Sequence, residues 1–211
     1  KMVSVPIRSL LFTPGNHKNK VAKVFNAGAD VAILDLEDAV ALSQKIQTRY
    51  PVVEALKTSR NCLGYVRINA ADTEFYEGDL STVIGPWLDG VILPKVESVD
   101  QVLAADITIR ELEIAIGLNP GKIDLIPIIE TAKGLAAVSD ISGCGSRIRR
   151  ISFGAVDFAK DLGMKLSLNE WELTPARFDI VLASRVAGLE APLDSVWVQY
   201  KDLNGLMASS Q

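Results

Sequence analysis

Short runs of valine, isoleucine and leucine recur along this chain, and each is apolar throughout instead of alternating with polar residues. A strand wetted on one face alternates. A strand covered on both faces does not, and uniform runs of this kind mark parallel sheets packed under helices. They lie near Ser9–Phe12, Val31–Asp35, Leu63–Ile68, Gly90–Leu93, Asp124–Ile129, Ile151–Phe153 and Ser195–Val198. Helical patterns fill the intervals. His17–Ala27 places Val21, Val24 and Phe25 on one face, with Asn16 as its N-cap. Ser43–Lys57, Val99–Leu118 and Thr174–Ala187 read in the same way, the last opening on Thr-Pro and stopping at Gly188.

This strand–helix rhythm fits an open doubly wound sheet or a barrel. The dinucleotide fingerprint G-x-G-x-x-G is absent after the first run. Gly117-Leu-Asn-Pro-Gly-Lys122 has the wrong spacing for a phosphate loop, lacks Ser or Thr after its lysine and follows a helix, so it reads as a turn. In a parallel α/β barrel all strand C-termini open onto one face, and that face holds the active site. Charged residues stand at that position run after run: Glu37 and Asp38, Arg67, Lys95, Glu130 and Asp157. Distant residues would thus meet in one cup.

With 211 residues and 48% hydrophobic content the chain can bury a large core, and the absence of a linker-like stretch predicts one domain over residues 1–211. A net charge of −4 argues against a nucleic-acid surface, and the basic run Arg147-Ile-Arg-Arg reads as a solvated loop before a strand. Cys62 and Cys144 stand outside any CxxC or histidine cluster, as free thiols of a reducing compartment would. No apolar stretch reaches the roughly 20 residues of a membrane span. The first residues are too polar and too short a stretch for a signal peptide. The expectation is a soluble cytoplasmic protein without membrane or nucleic-acid partners.

Glu130 and Asp157 each follow an apolar run and precede small residues opening a helix. Two carboxylates on adjacent strand ends can bind one hard cation such as Mg²⁺, which fills its other positions with water and substrate oxygens. The alternative is that both serve the helix dipole. Glu37 and Asp38, in Asp35-Leu-Glu-Asp38, read as outer supports of such a metal or of Arg67, or as helix caps. Arg67, a cation in an apolar strand, suits a bidentate contact with a substrate carboxylate or an ion pair with Glu37 or Asp38. Lys95 adds positive potential or a structural ion pair. His17, the one histidine, sits at a helix start as a surface residue or a base; Lys18, Lys20 and Lys23 follow it as an anion-holding or merely solvated face. With a single histidine no nucleophilic triad can be built.

Taken together, Arg8-Ser-Leu-Leu-Phe-Thr-Pro-Gly, Asp35-Leu-Glu-Asp-Ala-Val, Val66-Arg-Ile-Asn, Leu93-Pro-Lys-Val-Glu, Pro127-Ile-Ile-Glu-Thr-Ala-Lys-Gly and Phe153-Gly-Ala-Val-Asp-Phe resemble the citrate lyase beta-subunit-like proteins. These include citramalyl-CoA and malyl-CoA lyases and belong to a wider group of metal-dependent aldolases. The resemblance runs from about Arg8 to Gly205. It implies an α/β (β/α)8 TIM barrel, usually a trimer or hexamer. On that resemblance, the last helix, eighth strand and C-terminal lid of the barrel are expected to be missing from this sequence.

The resemblance further implies Mg²⁺ on Glu130 and Asp157, substrate contacts from Arg67 and Glu130, and a coenzyme A path past Phe12, His17 and Lys23. Position 17 is usually arginine in such proteins and is histidine here; Lys18 or Lys20 can supply the charge. The implied reaction is retro-aldol cleavage of a 3-hydroxy-3-carboxy acyl thioester of the citryl-, citramalyl- or malyl-CoA type, in which Arg67 stabilises the oxygens. A 2-oxo acid and an acyl thioester such as acetyl-CoA result. Two other readings stand beside it: an aldolase acting on free 2-oxo acids, and a non-catalytic acyl-CoA-binding subunit.

Overall fold

The computed structural model describes residues 7–210. In chain order these form β1 (Leu10–Pro14), α1 (Lys18–Val24), β2 (Val31–Asp35), α2 (Lys45–Leu56), β3 (Leu63–Arg67), α3 (Tyr76–Val83), β4 (Gly90–Leu93), α4 (Val99–Ala115), β5 (Asp124–Ile129), α5 (Ala132–Ala136), α6 (Val138–Ser142), β6 (Ser152–Phe153), α7 (Ala155–Asp161), α8 (Thr174–Val186) and α9 (Leu203–Ser209). The six strands pair parallel in the order β1-β2-β3-β4-β5-β6. Sequential parallel neighbours with helical crossovers form the wall of a half-barrel.

Side chains alternate across a strand, so each strand feeds two layers. Ala32, Leu34, Val66, Val91, Leu93, Leu125 and Ile129 pack against Val52, Leu56, Leu80, Val83, Val102 and Ile109 of the helices. The opposite face carries Val31, Ile33, Tyr65, Ile92, Ile126 and Ile128, joined by Leu10, Phe12 and Leu193, with no helical residue among them. That second layer is the concave interior. Burying a side chain such as Ile33 contributes about 1.5–3 kcal/mol, which explains why the runs are apolar on both sides. Continuing the interior parity along the chain brings Asp35, Arg67 and Glu130 to the same face, at the strand C-termini.

The helix starts follow local chemistry. Ser98 caps α4 in a capping box with Gln101, and Thr131 caps α5 by accepting the Gly134 N–H at 3.0 Å. At α1 the structure corrects the expected cap. The Asn16 side-chain amide donates to Gln44 Oε1 at 2.7 Å instead, and His17 occupies the cap position with no side-chain bond. The helix expected at Asp157 is present as α7, whereas α3 and α9 lie outside the helical patterns of the sequence; α3 begins after Phe75, without a capping side chain.

Ser195–Val198 is not a strand. The chain meets β6 two residues earlier, where Leu193 forms an isolated parallel bridge with Ser152, donates to Ile151 O at 2.9 Å and accepts the Phe153 N–H at 2.9 Å. Pro192 has no N–H to offer, and the Asp194 carboxylate takes the Ser195 N–H at 2.7 Å, diverting the backbone from a ladder. Val196 and Val198 stay half exposed.

The basic run 147–150 is also not a solvated loop. Arg147 pairs with Asp106 at 2.6 Å and with the fully buried Glu113 at 3.1 Å. Arg150, 3% exposed, joins Asp124 at 2.8 Å and Glu190. Asp124 also accepts the Tyr65 hydroxyl at 2.9 Å. These arginines clamp the N-terminal end of the sheet to its helices. Around Glu113, burial raises the carboxyl's pKa, but Arg147 and the N–H groups of Ile123 and Gly121 outweigh it and hold the group below its usual 4.5. A depressed folded-state pKa gives stability that is full above the unfolded value and lost as pH falls through the folded one. The stability gap between wild type and Glu113→Gln, read from urea midpoints, should therefore be constant at neutral pH and shrink below about pH 4.5.

Candidate active site

The parallel register sets Asp35 directly opposite Arg67. Arg67 Nε donates to Asp35 Oδ1 at 2.7 Å and Nη2 to Oδ2 at 2.6 Å, a two-pronged pair. The same carboxylate, 2% exposed, accepts the Glu37 N–H at 2.9 Å and the Ala39 N–H at 3.0 Å. It thus shapes the acidic turn after β2 and anchors the arginine at once. Burial alone would lower the Arg67 pKa, but the Asp35 pair reverses the effect and raises it. The Phe12 ring lies 5.1 Å from the guanidinium and adds a cation–π contact. Arg67 does meet Glu37, with Nη1 3.2 Å from Oε2, and more loosely Asp38 at 4.0 Å. Sequence reasoning missed Asp35 as its main partner.

Lys95 follows Pro94 with φ of 52°, in the left-handed region. This breaks the strand's alternation and turns two groups inward. Its backbone N–H donates to Glu130 Oε1 at 2.8 Å, and its ammonium pairs with Glu37 Oε1. Glu37 is 5% exposed, and burial leads in pushing its carboxyl up against the pull of Arg67 and Lys95. Its Oε2 is buried without an aligned hydrogen bond. Asp38 is half exposed at the rim.

Glu130 immediately follows β5 and is 3% exposed. Burial pushes its carboxyl to about 7, although the Lys95 N–H and charge oppose this. Lys95 N–H holds only Oε1. A side chain at Gly154 would overlap Oε2 and lie 2.6 Å from the Glu130 Cβ, so glycine there leaves that oxygen free. Gly154 donates its N–H to Ile129 O at 2.9 Å, which brings α7 up beside Glu130. Asp157 lies half-buried in the first turn of α7, not in an extension of β6, which ends at Phe153. Its charge contributes to the raised pKa of Glu130.

Five carboxylates (Asp35, Glu37, Asp38, Glu130 and Asp157) thus cluster with Arg67 and Lys95, and Lys45 lies behind them. Excess negative charge, a buried carboxylate pushed toward neutrality and a free oxygen beside a second acid are chemistry that a hard divalent cation could use, and Glu130 and Asp157 are the residues that could hold one. Two protein carboxylates suffice for Mg²⁺; among the described residues no three His, Cys, Asp or Glu side chains converge closely enough to hold one metal ion. Of the other expected residues, Phe12 joins the cup beneath Arg67, whereas His17 and Lys23 lie exposed on α1, Lys23 in its last turn.

A six-stranded parallel half-barrel with a carboxylate-rich cup at its strand C-termini places the protein among the α/β proteins whose strand ends form the candidate site. Residues 8–211 match the sequence profile of the HpcH/HpaI aldolase/citrate lyase family, and the chain belongs to that family. It is 36% identical over 199 residues to the citrate lyase subunit beta of Escherichia coli, covering 93% of this chain and 65% of that protein. It is 33% identical over 230 residues to the L-malyl-CoA/beta-methylmalyl-CoA lyase of Cereibacter sphaeroides, covering 98% and 71%. These relatives are lyases by name, and the chain spans about two thirds of their length. Among solved structures, protein CitE of Mycobacterium tuberculosis in complex with magnesium, acetoacetate and coenzyme A superimposes with a TM-score of 0.77 at 30% identity, over 96% of this chain and 71% of that one.

Gly154→Ala tests the packing of the cup. Because the added carbon meets the Glu130 Cβ and not only a flexible tip, it should cost about 1–3 kcal/mol of unfolding free energy, measured with urea.

Proposed function

We propose that the chain carries the active-site face of a Mg²⁺-dependent carbon–carbon lyase. It would cleave a 3-hydroxy-3-carboxy acyl thioester of the citryl-, citramalyl- or malyl-CoA type into a 2-oxo acid and an acyl thioester such as acetyl-CoA. The observation that carries this reading is the buried Glu130 with its free oxygen beside Asp157, in one cup with a pre-anchored Arg67. The names of the relatives and the ligands of the CitE structure support it.

Glu130 and Asp157 would hold the cation, which when bound would supply Lewis acidity and orientation to the oxygens of the substrate. Asp35 occupies Nε and one Nη2 hydrogen of Arg67. Nη1 lies 3.2 Å from Glu37 Oε2 without an aligned hydrogen bond, so it and the second Nη2 hydrogen would turn to the substrate carboxylate and the oxygen that becomes the keto group. Glu37, charge-paired with Lys95, and Asp38 would serve as outer supports of that cation. The hydroxyl proton passes to solvent as the carbon–carbon bond breaks, its electron pair moves to the thioester as an enolate, and that carbon takes a proton back from water.

Phe12 in the cup, and His17 and Lys23, helped by Lys18 and Lys20, on the exposed side at α1, would border the coenzyme A path. The six strands are the first six of a (β/α)8 barrel in a single domain over residues 1–211, working in the cytoplasm as a homotrimer or hexamer.

Three measurements test this. Full-length protein with Mg²⁺, offered citramalyl-CoA, malyl-CoA and citryl thioesters, should release pyruvate, glyoxylate or oxaloacetate from one of them. Cleavage of free hydroxy acids alone would replace the thioester reading with a CoA-independent aldolase, and tight coenzyme A binding without turnover would make the chain a binding subunit. Asp157→Ala should lower kcat/KM by about 100-fold or more while the fold is retained; full activity would overturn the metal assignment. Arg67→Lys keeps the charge but loses the fork, so kcat/KM should fall by about 100-fold.

A further inference from the structure

Behind the acidic turn lies a lysine that takes no part in the cup. Lys45, the first residue of α2, is 6% exposed. Its Nζ donates to Leu36 O at 3.1 Å, Glu37 O at 2.8 Å and Asn69 Oδ1 at 2.5 Å, so all three ammonium hydrogens are spent on neutral oxygens. A buried ammonium whose hydrogen bonds go to carbonyls and an amide, not to a carboxylate, is a poor stabilising device. Desolvation costs several kcal/mol, and an apolar side chain of equal volume often does better. Its placement points to a different role.

The two carbonyls it holds flank the N–H of Glu37, which Asp35 holds from the other side. Asn69 reinforces the grip, donating Nδ2 to Leu36 O at 3.1 Å and to Asp79 at 2.7 Å. Asp79, fully buried, receives Arg49 Nε at 2.7 Å, and Arg49 also donates to Phe75 O at 2.9 Å. A continuous buried network therefore runs from α3 through Asn69 to Lys45 and ends on the peptide groups on either side of Glu37.

We propose that Lys45 is a positioning residue for the acidic turn. By fixing the Leu36 and Glu37 carbonyls from behind, it sets the Glu37 carboxylate between Lys95 and Arg67. Glu37 is the one acid that touches both cations closely. Losing Lys45 should release the turn while leaving Glu130 and Asp157, which rest on β5 and α7, in place. The consequence for activity rests on the lyase reading above; the consequence for the turn does not.

The test is hydrogen exchange on the full-length protein, followed by mass spectrometry. In Lys45→Met, amides of residues 36–40 should exchange at least tenfold faster than in wild type, with residues 31–35 and 63–67 unchanged. Unchanged protection of 36–40 in a folded Lys45→Met protein overturns the proposal. Should that variant not fold, Lys45→Arg takes its place. It keeps the charge but cannot converge one atom on three oxygens, so it should show a smaller acceleration in the same segment, and no acceleration overturns the proposal equally. Under turnover, Lys45→Met should lower kcat about tenfold without moving the Mg²⁺ half-saturation point, and Lys45→Arg should recover part of kcat. A shift in Mg²⁺ dependence instead would place Lys45 among determinants of the metal pair and overturn its assignment to the turn. If wild type turns over no thioester, the lyase reading fails and exchange alone decides.

Discussion

One ion pair organises the cup. Asp35 and Arg67 face each other by strand register, and four hydrogen bonds converge on the Asp35 carboxylate. Two of them build the turn that presents Glu37 and Asp38; the other two orient the guanidinium. A buried pair of this kind seldom adds net stability, since desolvating both charges offsets their attraction. Its value is geometric. It turns a flexible arginine into a fixed donor and ties the shape of the β2 turn to that donor's position.

The remaining groups extend the same logic across the strands. The interior is apolar up to the last layer, where Ile33, Tyr65 and Ile128 give way to Asp35, Arg67 and Glu130, each two residues further along the chain. A low-dielectric floor beneath a charged layer strengthens every interaction in it and accounts for the raised pKa values of Glu37 and Glu130. The opposite end of the sheet holds a second ionic layer, in which Arg147 and Arg150 serve Glu113, Asp106, Asp124 and Glu190. Its groups are satisfied by one another, with no buried carboxylate oxygen left over. The difference in saturation between the two ends separates a stabilising face from one arranged for a ligand.

Much of this could be read from residue order. The apolar runs located all six strands to within a residue or two, because burial on both faces admits few residue types. The charges after them located the cup. What could not be read depends on partners far apart in sequence. Asp35 looked like one acid among three, and only the register gives it Arg67, 32 residues away. Lys45 and Asn69 are ordinary polar residues until folding brings them 2.5 Å apart. Arg147 and Arg150 looked solvated because a basic run carries no mark of the acids it will meet. The expected seventh strand failed for a local reason: Pro192 and Asp194 remove and divert the groups a ladder needs.

The left-handed backbone at Lys95 has a consequence for how this protein trades durability against design. A residue with a Cβ pays about 1–2 kcal/mol to sit in that region, a cost glycine would avoid. Yet the side chain that incurs the cost is the one that neutralises Glu37, while the strained peptide itself supplies the N–H for Glu130. Glycine would keep the second contact and lose the first. Selection for thermal robustness alone would thus push this position away from lysine, so its occupancy records a demand that comes from the cup and not from the fold.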